Sequence, residues 1–513
     1  MRTGPYAARS EARAAISEGT DVALACFFVA AAAAYLCVGT PLPPLAEYPQ
    51  SLARFAILAH GREDPYLSPY YAFVWQLQPN LATDALAYLL SPIADIYTVG
   101  RLTVWATYIS LLAGCVLLYR ALHGHFSVVS LLAALLLLNG YFTAGHLGFL
   151  LTLGGGMIAL AAWIAGRDRP IARLAVGAAA ALALYLGQLY GFAIYALCLL
   201  GYELQLGLSH GGQSKIARWS LALLSLLPPV LVALLARPPV LGPQGTPWTM
   251  LGEAPPGQPL IAGYDPLLEY AMLAAALLGI AGAWTAGRAR LRVDLGLAVA
   301  ALVAVGVALP LAVAGTHRAE RCLMLPVALL LLLSVDWRAP TSRGHALQWA
   351  LVGGLIAAQL AHVSAQWRSA APLAGELVRL TSLVEKGATV ASLTIAGESA
   401  PFPPLRNAVA LFVVETAALV PSLEAYPADA AAPLRYRPDH ADQAFAARLV
   451  RVLPGTAGAL PGAIDRELGF VARHGYRYLL LIDEVGAAPA LPARLRPIGA
   501  TSDGRARLFE IAS

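Results

Sequence analysis

The sequence predicts a polytopic α-helical membrane protein that carries a C-terminal soluble α/β domain. Three observations predict it. Over 513 residues, 58% are hydrophobic and 13% charged, with a mean hydropathy of +0.64, which excludes an ordinary soluble globular protein. Apolar runs of about 17 residues or more recur along the chain, long enough to cross a bilayer as helices. After Trp367 the pattern changes to short apolar strands alternating with helical stretches.

Charge and cysteine usage narrow the function classes. The net charge of +5 is spread over loops rather than massed, which argues against a nucleic-acid partner. Cys26, Cys37, Cys115, Cys198 and Cys322 fall in or beside apolar spans without metal-ligand spacing and read as small packing residues. The hydrophilic C-terminal part has no cysteine and needs no disulfide.

Taken in order, Arg2, Arg9 and Arg13 precede an apolar run at 22–38. Its length, and the lack of a small-x-small cleavage site, make it a retained signal anchor rather than a cleaved signal peptide. Eleven spans follow from the hydropathy, at about 21–39, 98–119, 127–144, 148–165, 172–187, 189–205, 219–236, 266–286, 294–314, 321–335 and 346–365. The pairs 127–165 and 172–205 read as tight hairpins connected at Gly145-His146-Leu147 and at Gln188. With the N-terminus cytoplasmic, the inner segments hold fourteen basic residues: Arg2, Arg9, Arg13, Arg120, Arg167, Arg169, Arg173, Lys215, Arg218, Arg288, Arg290, Arg292, Arg338 and Arg343. The outer segments hold six: Arg54, Arg62, Arg101, Arg237, Arg318 and Arg321. With an odd number of spans, that asymmetry predicts the 40–95 loop and the C-terminal domain on the outer side of the membrane.

The 40–95 loop is the richest polar stretch. Leu52, Phe55, Ala56 and Ala59 recur at helical spacing after Pro49, predicting an interfacial amphipathic helix with Arg54 on its polar side. Tyr66, Tyr70, Tyr71, Phe73 and Trp75 predict an aromatic belt, and a short helix over 80–90 is expected with Asn80 as its cap. Asp84 falls in that helix's first turn, where a dipole role is expected. His60 and Asp64 flank Gly61 and precede Pro65, so no metal site is expected there. Pro228-Pro229 must break or kink the seventh span, and Gly154-Gly155-Gly156 permits close helix approach. The 237–264 loop, rich in Pro and Gly, reads as an irregular lid. Residues 1–367 form the transmembrane domain and 368–513 the soluble domain, with strands at 389–395, 478–482 and 507–511 and a helix at 463–474. Asp483-Glu484 end a strand, a place where open α/β sheets bind ligands and where solvated charges also sit.

No Walker loop, dinucleotide fingerprint, HExxH or GxSxG pattern occurs. What remains is polar chemistry on the outer face. Glu47 has the chemistry of a general base for a hydroxyl attacking an activated sugar, or is an ordinary solvated carboxylate. Arg54 has the guanidinium geometry that grips phosphate oxygens in pairs. His317, Arg318 and Arg321 gather cations at the start of the tenth span, suited to a lipid phosphate or to anchoring in headgroups.

The run Glu47-Tyr48-Pro49-Gln50-Ser51-Leu52-Ala53-Arg54 resembles the first-loop pattern Asp-Tyr-Pro-Asn-His-Leu-Ala-Arg of bacterial polytopic proteins related to GT-C glycosyltransferases. Trp75 with Pro79-Asn80-Leu81-Ala82-Thr83-Asp84 is similar to that group's Trp…Pro-Asn-Leu-Ala-Met-Asp segment, and Gly100-Arg101 to its Gly-Arg or Gly-Lys. Ala410-Leu411-Phe412, Val420-Pro421-Ser422-Leu423 and Pro433-Leu434-Arg435 resemble its C-terminal domain. The resemblance implies a GT-C-like bundle and sugar transfer from a polyprenyl-phosphate donor to an envelope glycolipid, glycan or protein. It implies Glu47 as the catalytic carboxylate acting as base, with Tyr48, Arg54, His317, Arg318 and Arg321 toward substrate, and leaves a divalent metal open as cofactor. The chain departs at Ser51, where the group has histidine, and at Gln50, where it has asparagine. A flippase for lipid-linked saccharides and a non-catalytic envelope protein with a degenerate site remain alternatives. The flippase requires ionisable residues deep in the spans.

Overall fold

The computed structural model describes residues 5–209, 214–235, 260–312, 321–337, 342–396, 407–421, 423, 433–440, 443–444, 452–454, 460–484, 486 and 491–512. The helices of the first half are α1 (Pro5–Gly39), α2 (Tyr48–His60), α3 (Ala82–Leu90), α4 (Ile96–His123), α5 (Ala134–Leu137), α6 (Gly140–Ala144), α7 (Leu147–Ala165), α8 (Pro170–Gly187) and α9 (Leu189–Ser209). The second half adds α10 (Ser214–Ser225), α11 (Leu227–Leu235), α12 (Pro266–Thr285), α13 (Gly296–Ala312), α14 (Arg321–Leu333), α15 (Ser342–Thr381), α16 (Leu411–Thr416) and α17 (Leu460–Arg473). Among the described residues seven helices are long and apolar enough to cross a membrane: the apolar part of α1, then α4, α7, α8, α9, α12 and α15. The other four expected spans appear as shorter apolar helices.

Close helix contacts follow from small residues. A Cβ on Gly114 of α4 would sit 2.7 Å from the Gly154 carbonyl oxygen of α7. One on Gly154 would meet the Ser110 carbonyl carbon at 2.5 Å. Gly154 therefore sets the α4–α7 approach, as the triple-glycine run predicts. The helix expected over 219–236 breaks at Leu226, between α10 and α11, just before the two prolines that remove backbone donors.

The segment at 127–144 departs from the expected single helix. Ser127 caps a 3-10 helix at Val128–Ala133, α5 follows, and the chain breaks at Leu138 before α6. Asn139 makes the break possible. Its carboxamide oxygen accepts the Tyr141 and Phe142 N–H groups at 2.8 and 3.1 Å, and its nitrogen donates to the Leu136 and Leu137 carbonyls at 2.7 and 3.3 Å. One side chain thus satisfies backbone groups on both sides. Irregular backbone is tolerated in a membrane only when protein encloses it, and every residue from Ser127 to Leu147 is buried. The hairpin at Gln188 forms as expected, between α8 and α9.

The C-terminal part holds a five-stranded sheet in the order β6-β4-β7-β9-β8, built from β4 (Val390–Ala396), β6 (Val452–Pro454), β7 (Tyr478–Asp483), β8 (Leu495–Ala500) and β9 (Ala506–Ile511). Strands β4, β6 and β7 are parallel, while β9 runs antiparallel to β7 and β8. Alternation along β7 sends Leu479 and Leu481 to α17, with Ile464 and Leu468. Tyr478, Leu480 and Ile482 join the core shared with the helical bundle. A two-stranded ribbon of β2 (Ala289–Leu291) and β3 (Val335–Trp337) closes one end of the bundle.

The first loop is built into this C-terminal part. Strand β1 (Tyr71–Phe73) pairs antiparallel with β5 (Leu434–Tyr436). The Tyr71 hydroxyl donates to the Ala418 carbonyl at 3.1 Å and accepts the Val420 N–H at 2.9 Å. Residues Tyr48, Leu52, Ala53, Phe55, Ala56 and Ile57 of α2 are buried, with α4 and α3 on one side and α16 on the other. The expected interfacial helix is therefore sandwiched in protein, because the 407–420 segment covers the face that lipid was expected to meet. The aromatic belt divides likewise. Tyr71 and Phe73 are buried, while Trp75 and Tyr88 stay exposed in edge contact. Residue Asn80 takes a positive φ of 72° instead of capping; Leu81 occupies the cap of α3.

Asn139→Ala removes a cap and strands the carbonyls before it. Unfolding of the purified protein in detergent is expected to show a loss of about 1–2 kcal/mol, and an unchanged unfolding curve would contradict the role given to Asn139.

Candidate functional site

Glu47 precedes α2, with Pro49 in the first turn pre-setting the helical φ. Two backbone bonds fasten it to the end of α6. The Ala46 N–H donates to the Thr143 carbonyl at 3.0 Å and the Glu47 N–H to the Ala144 carbonyl at 2.9 Å. Gly145 follows with a φ of +91°, and a Cβ there would lie 3.1 Å from the Glu47 Cβ. Only glycine fits both the conformation and the approach. The turn then delivers His146 at the head of α7, with its Nδ1 3.0 Å from Glu47 Oε2. An ionised carboxylate only accepts, so Nδ1 is the donor. The Glu47 side chain is 29% exposed and His146 only 7%. The imidazole is thus the fixed partner, and the carboxylate is the group within reach of solvent.

The other side of the loop is held by the C-terminal part. The Asn407 side chain donates to the Ala46 carbonyl at 2.9 Å and accepts from the Gln50 carboxamide at 2.9 Å. The Ser51 hydroxyl turns back to the Glu47 carbonyl at 3.3 Å.

Several residues expected near substrate lie elsewhere in the arrangement. Tyr48 is fully buried, pressed with Leu52 against Gly100 of α4, where a Cβ would collide with both. Burial pushes its phenol far above its ordinary pKa, so it stays neutral. Tyr48 packs the loop onto α4 and does not reach solvent. Arg54 points Nε and Nη2 at the two oxygens of Asp84, each at 2.6 Å. Asp84 is fully buried, so this bidentate pair pins α2 to α3, and Asp84 acts as ion-pair partner rather than helix-dipole ligand. His317 and Arg318 lie outside the described residues, and Arg321 opens α14.

His146 is the residue that motif reading passes over. Its signal was the tight Gly145-His146-Leu147 connection, whose short length forces whatever it carries to the bundle end shared with the first loop. Among the described residues no three His, Cys, Asp or Glu side chains gather to hold a metal. Glu47 and His146 bring two such side chains together.

A second charged pair lies in the bundle. Arg173 of α8 bonds to Glu203 of α9, and Trp163 Nε1 donates to the same carboxylate at 2.8 Å. Arg173 is near the start of α8 and Glu203 near the end of α9, so the pair closes the open end of the hairpin, away from its middle.

Removing one member of the Arg54–Asp84 pair leaves the other charge without its main partner. Asp84→Ala is expected to cost about 3–5 kcal/mol, whereas a joint Arg54→Met and Asp84→Leu replacement should cost clearly less. Unfolding of both proteins in detergent checks this, and equal losses would contradict a buried ion pair.

No protein-family model matches the chain, and no curated protein matches it. Solved structures do. The arabinofuranosyltransferase AftD from Mycobacteria aligns over 95% of this chain and 40% of its own, at 16% identity and a TM-score of 0.45. The present chain thus spans about two fifths of that protein's length. ArnT from Cupriavidus metallidurans, solved bound to undecaprenyl phosphate, aligns over 96% of this chain and 98% of its own, at 13% identity and a TM-score of 0.41. At such identities and TM-scores, neither likeness carries a residue's role across to this chain.

Proposed function

We propose that the chain is a membrane glycosyltransferase that moves a sugar from a polyprenyl-phosphate donor to an envelope glycolipid, glycan or protein at the outer face of a bacterial inner membrane. The observation that carries the reading is the Glu47–His146 pair. A part-exposed carboxylate is held by a buried imidazole at the end of the bundle that bears the long loop. The His146 bond occupies Oε2 and fixes the carboxylate plane, leaving Oε1 to take a proton from an acceptor hydroxyl. As that hydroxyl oxygen bonds to the anomeric carbon, the bond from that carbon to the donor phosphate breaks. The electron pair leaves with the phosphate, and the hydroxyl proton goes to Glu47.

The leaving phosphate needs cations. Arg54 directs two donors to Asp84, so His317, Arg318 and Arg321 are the better candidates. The far end of α14 is pinned where the Leu333 carbonyl meets His123 Nε2 at 2.8 Å, on the last turn of α4. The three cations fall within five residues of sequence and suit a phosphate held by the group rather than scattered anchoring.

The test is a strain lacking the gene, complemented with wild type, Glu47→Gln or His146→Ala, with envelope glycans quantified by mass spectrometry. A lost general base is worth about a hundredfold or more, so Glu47→Gln is expected to abolish the product while the protein still accumulates in the membrane. His146→Ala should lower it less, because the carboxylate remains. Full complementation by Glu47→Gln would overturn the catalytic reading in favour of a non-catalytic envelope role.

A further inference from the structure

We propose that Glu269, on a helix remote in sequence from the loop, is a positioning residue for Glu47, acting through the turn at 262–265 and through Thr143. This inference rests on the reading of Glu47 as the reactive carboxylate.

Glu269 lies in the first turn of α12 and is 3% exposed. Its Oε2 accepts the Gly263 N–H at 2.7 Å, and Oε1 accepts those of Tyr264 and Asp265 at 3.1 and 3.3 Å. Successive backbone donors curled around one anion form a nest, and the φ of +87° at Gly263 provides the curl. His362 of α15 brings Nε2 to 3.4 Å from Oε1. Trp367, also on α15, donates its indole N–H to the Tyr264 hydroxyl at 3.0 Å. Two long helices therefore hold one short turn.

That turn reaches the site in two steps. The Ala262 carbonyl accepts the Thr143 hydroxyl at 3.1 Å, nearer than the hydroxyl's other acceptors on Gly140 and Asn139 at 3.2 and 3.3 Å. The Thr143 and Ala144 carbonyls in turn hold the Ala46 and Glu47 N–H groups. Phe142 stacks on Trp367 beside this path, with ring centroids 6.4 Å apart. A carboxylate is well suited to the task, because it takes all three N–H groups at once, whereas a carboxamide presents one oxygen and would aim an N–H at another donor.

Hydrogen–deuterium exchange on the purified full chain in detergent tests the path without requiring turnover. In Glu269→Ala, peptides covering Ala46–Glu47 and 143–146 are expected to exchange about tenfold faster, on the scale of one lost hydrogen bond. Peptides from α4, α9 and the C-terminal sheet should be unchanged, and Glu269→Gln should fall between. Thr143→Val keeps the side-chain shape, removes the hydroxyl link and should loosen the same peptides, so it carries the test should Glu269→Ala not fold. Unchanged protection at Ala46–Glu47 in the folded variants overturns the proposal. A uniform rise across the chain also overturns it, because Glu269 would then be merely structural. Product measured in the complemented strain separates the two readings. Loosened peptides with full product from Glu47→Gln would leave the Glu269 linkage standing while the glycosyltransferase reading falls.

Discussion

The two hydrogen bonds that tie Ala46 and Glu47 to the carbonyls of Thr143 and Ala144 are the constraint on which the site depends. They join a loop that follows α1 to the end of a buried, broken segment nearly a hundred residues later. Each neighbouring oddity serves that junction. Gly145 lacks a side chain because Glu47 lies against it. Asn407 holds the Ala46 carbonyl from the opposite side. With N–H and C=O both engaged, Ala46 leaves little freedom to the residue after it. A carboxylate so mounted needs only one further bond, from His146, to fix its plane.

This also explains why the 127–144 segment is not a plain helix. An unbroken helix would run past the junction with its carbonyls turned along its own axis, each taken by an N–H four residues on. To offer the Thr143 and Ala144 carbonyls sideways, the chain must end a helix at that point. Ending one among apolar neighbours is costly unless every freed group finds a partner. Asn139 satisfies the groups at the preceding break, and the N–H groups of Gly145 and His146 cap α6 through the Phe142 and Tyr141 carbonyls. The irregularity therefore sits where an enclosed backbone permits it and where the loop needs it.

Legibility in the sequence divided along physical lines. Features governed by local rules were readable: the long apolar helices, the breaks at Pro228-Pro229 and Gln188, the close approach at Gly154, and the strands around Tyr478 and Ala506. Features governed by pairing across the chain were not. The amphipathic pattern after Pro49 identifies a buried stripe but cannot say that Phe412 and its neighbours also cover the remaining face. The charges of Arg54 and Asp84 are both visible in one loop, yet only the meeting of α2 with α3 makes them a bidentate pair. The 127–144 run is apolar enough for a span, and Asn139-Gly140 was the one sign of a turn inside it. His146 carried no motif at all, because its value comes from where a tight connection ends.

Two stretches that resemble the GT-C-related group, at 47–54 and in the C-terminal part, pack against each other. Val413 and Phe412 lie in the same core as Leu52 and Phe55, and Leu434 pairs with Phe73. Substitutions on one side of such a contact are constrained by the other. The departure at Ser51 then takes on a different weight. A histidine there would sit on α2, one turn after Glu47. In this chain Ser51 is turned to the Glu47 carbonyl, and an imidazole reaches the carboxylate from the head of α7 instead. Under the role proposed for Glu47, what matters is that a donor orients the carboxylate, not which segment the donor comes from. With Ser51 in that position, His146 supplies an imidazole contact to Glu47 from a turn held by the same backbone bonds that place the carboxylate.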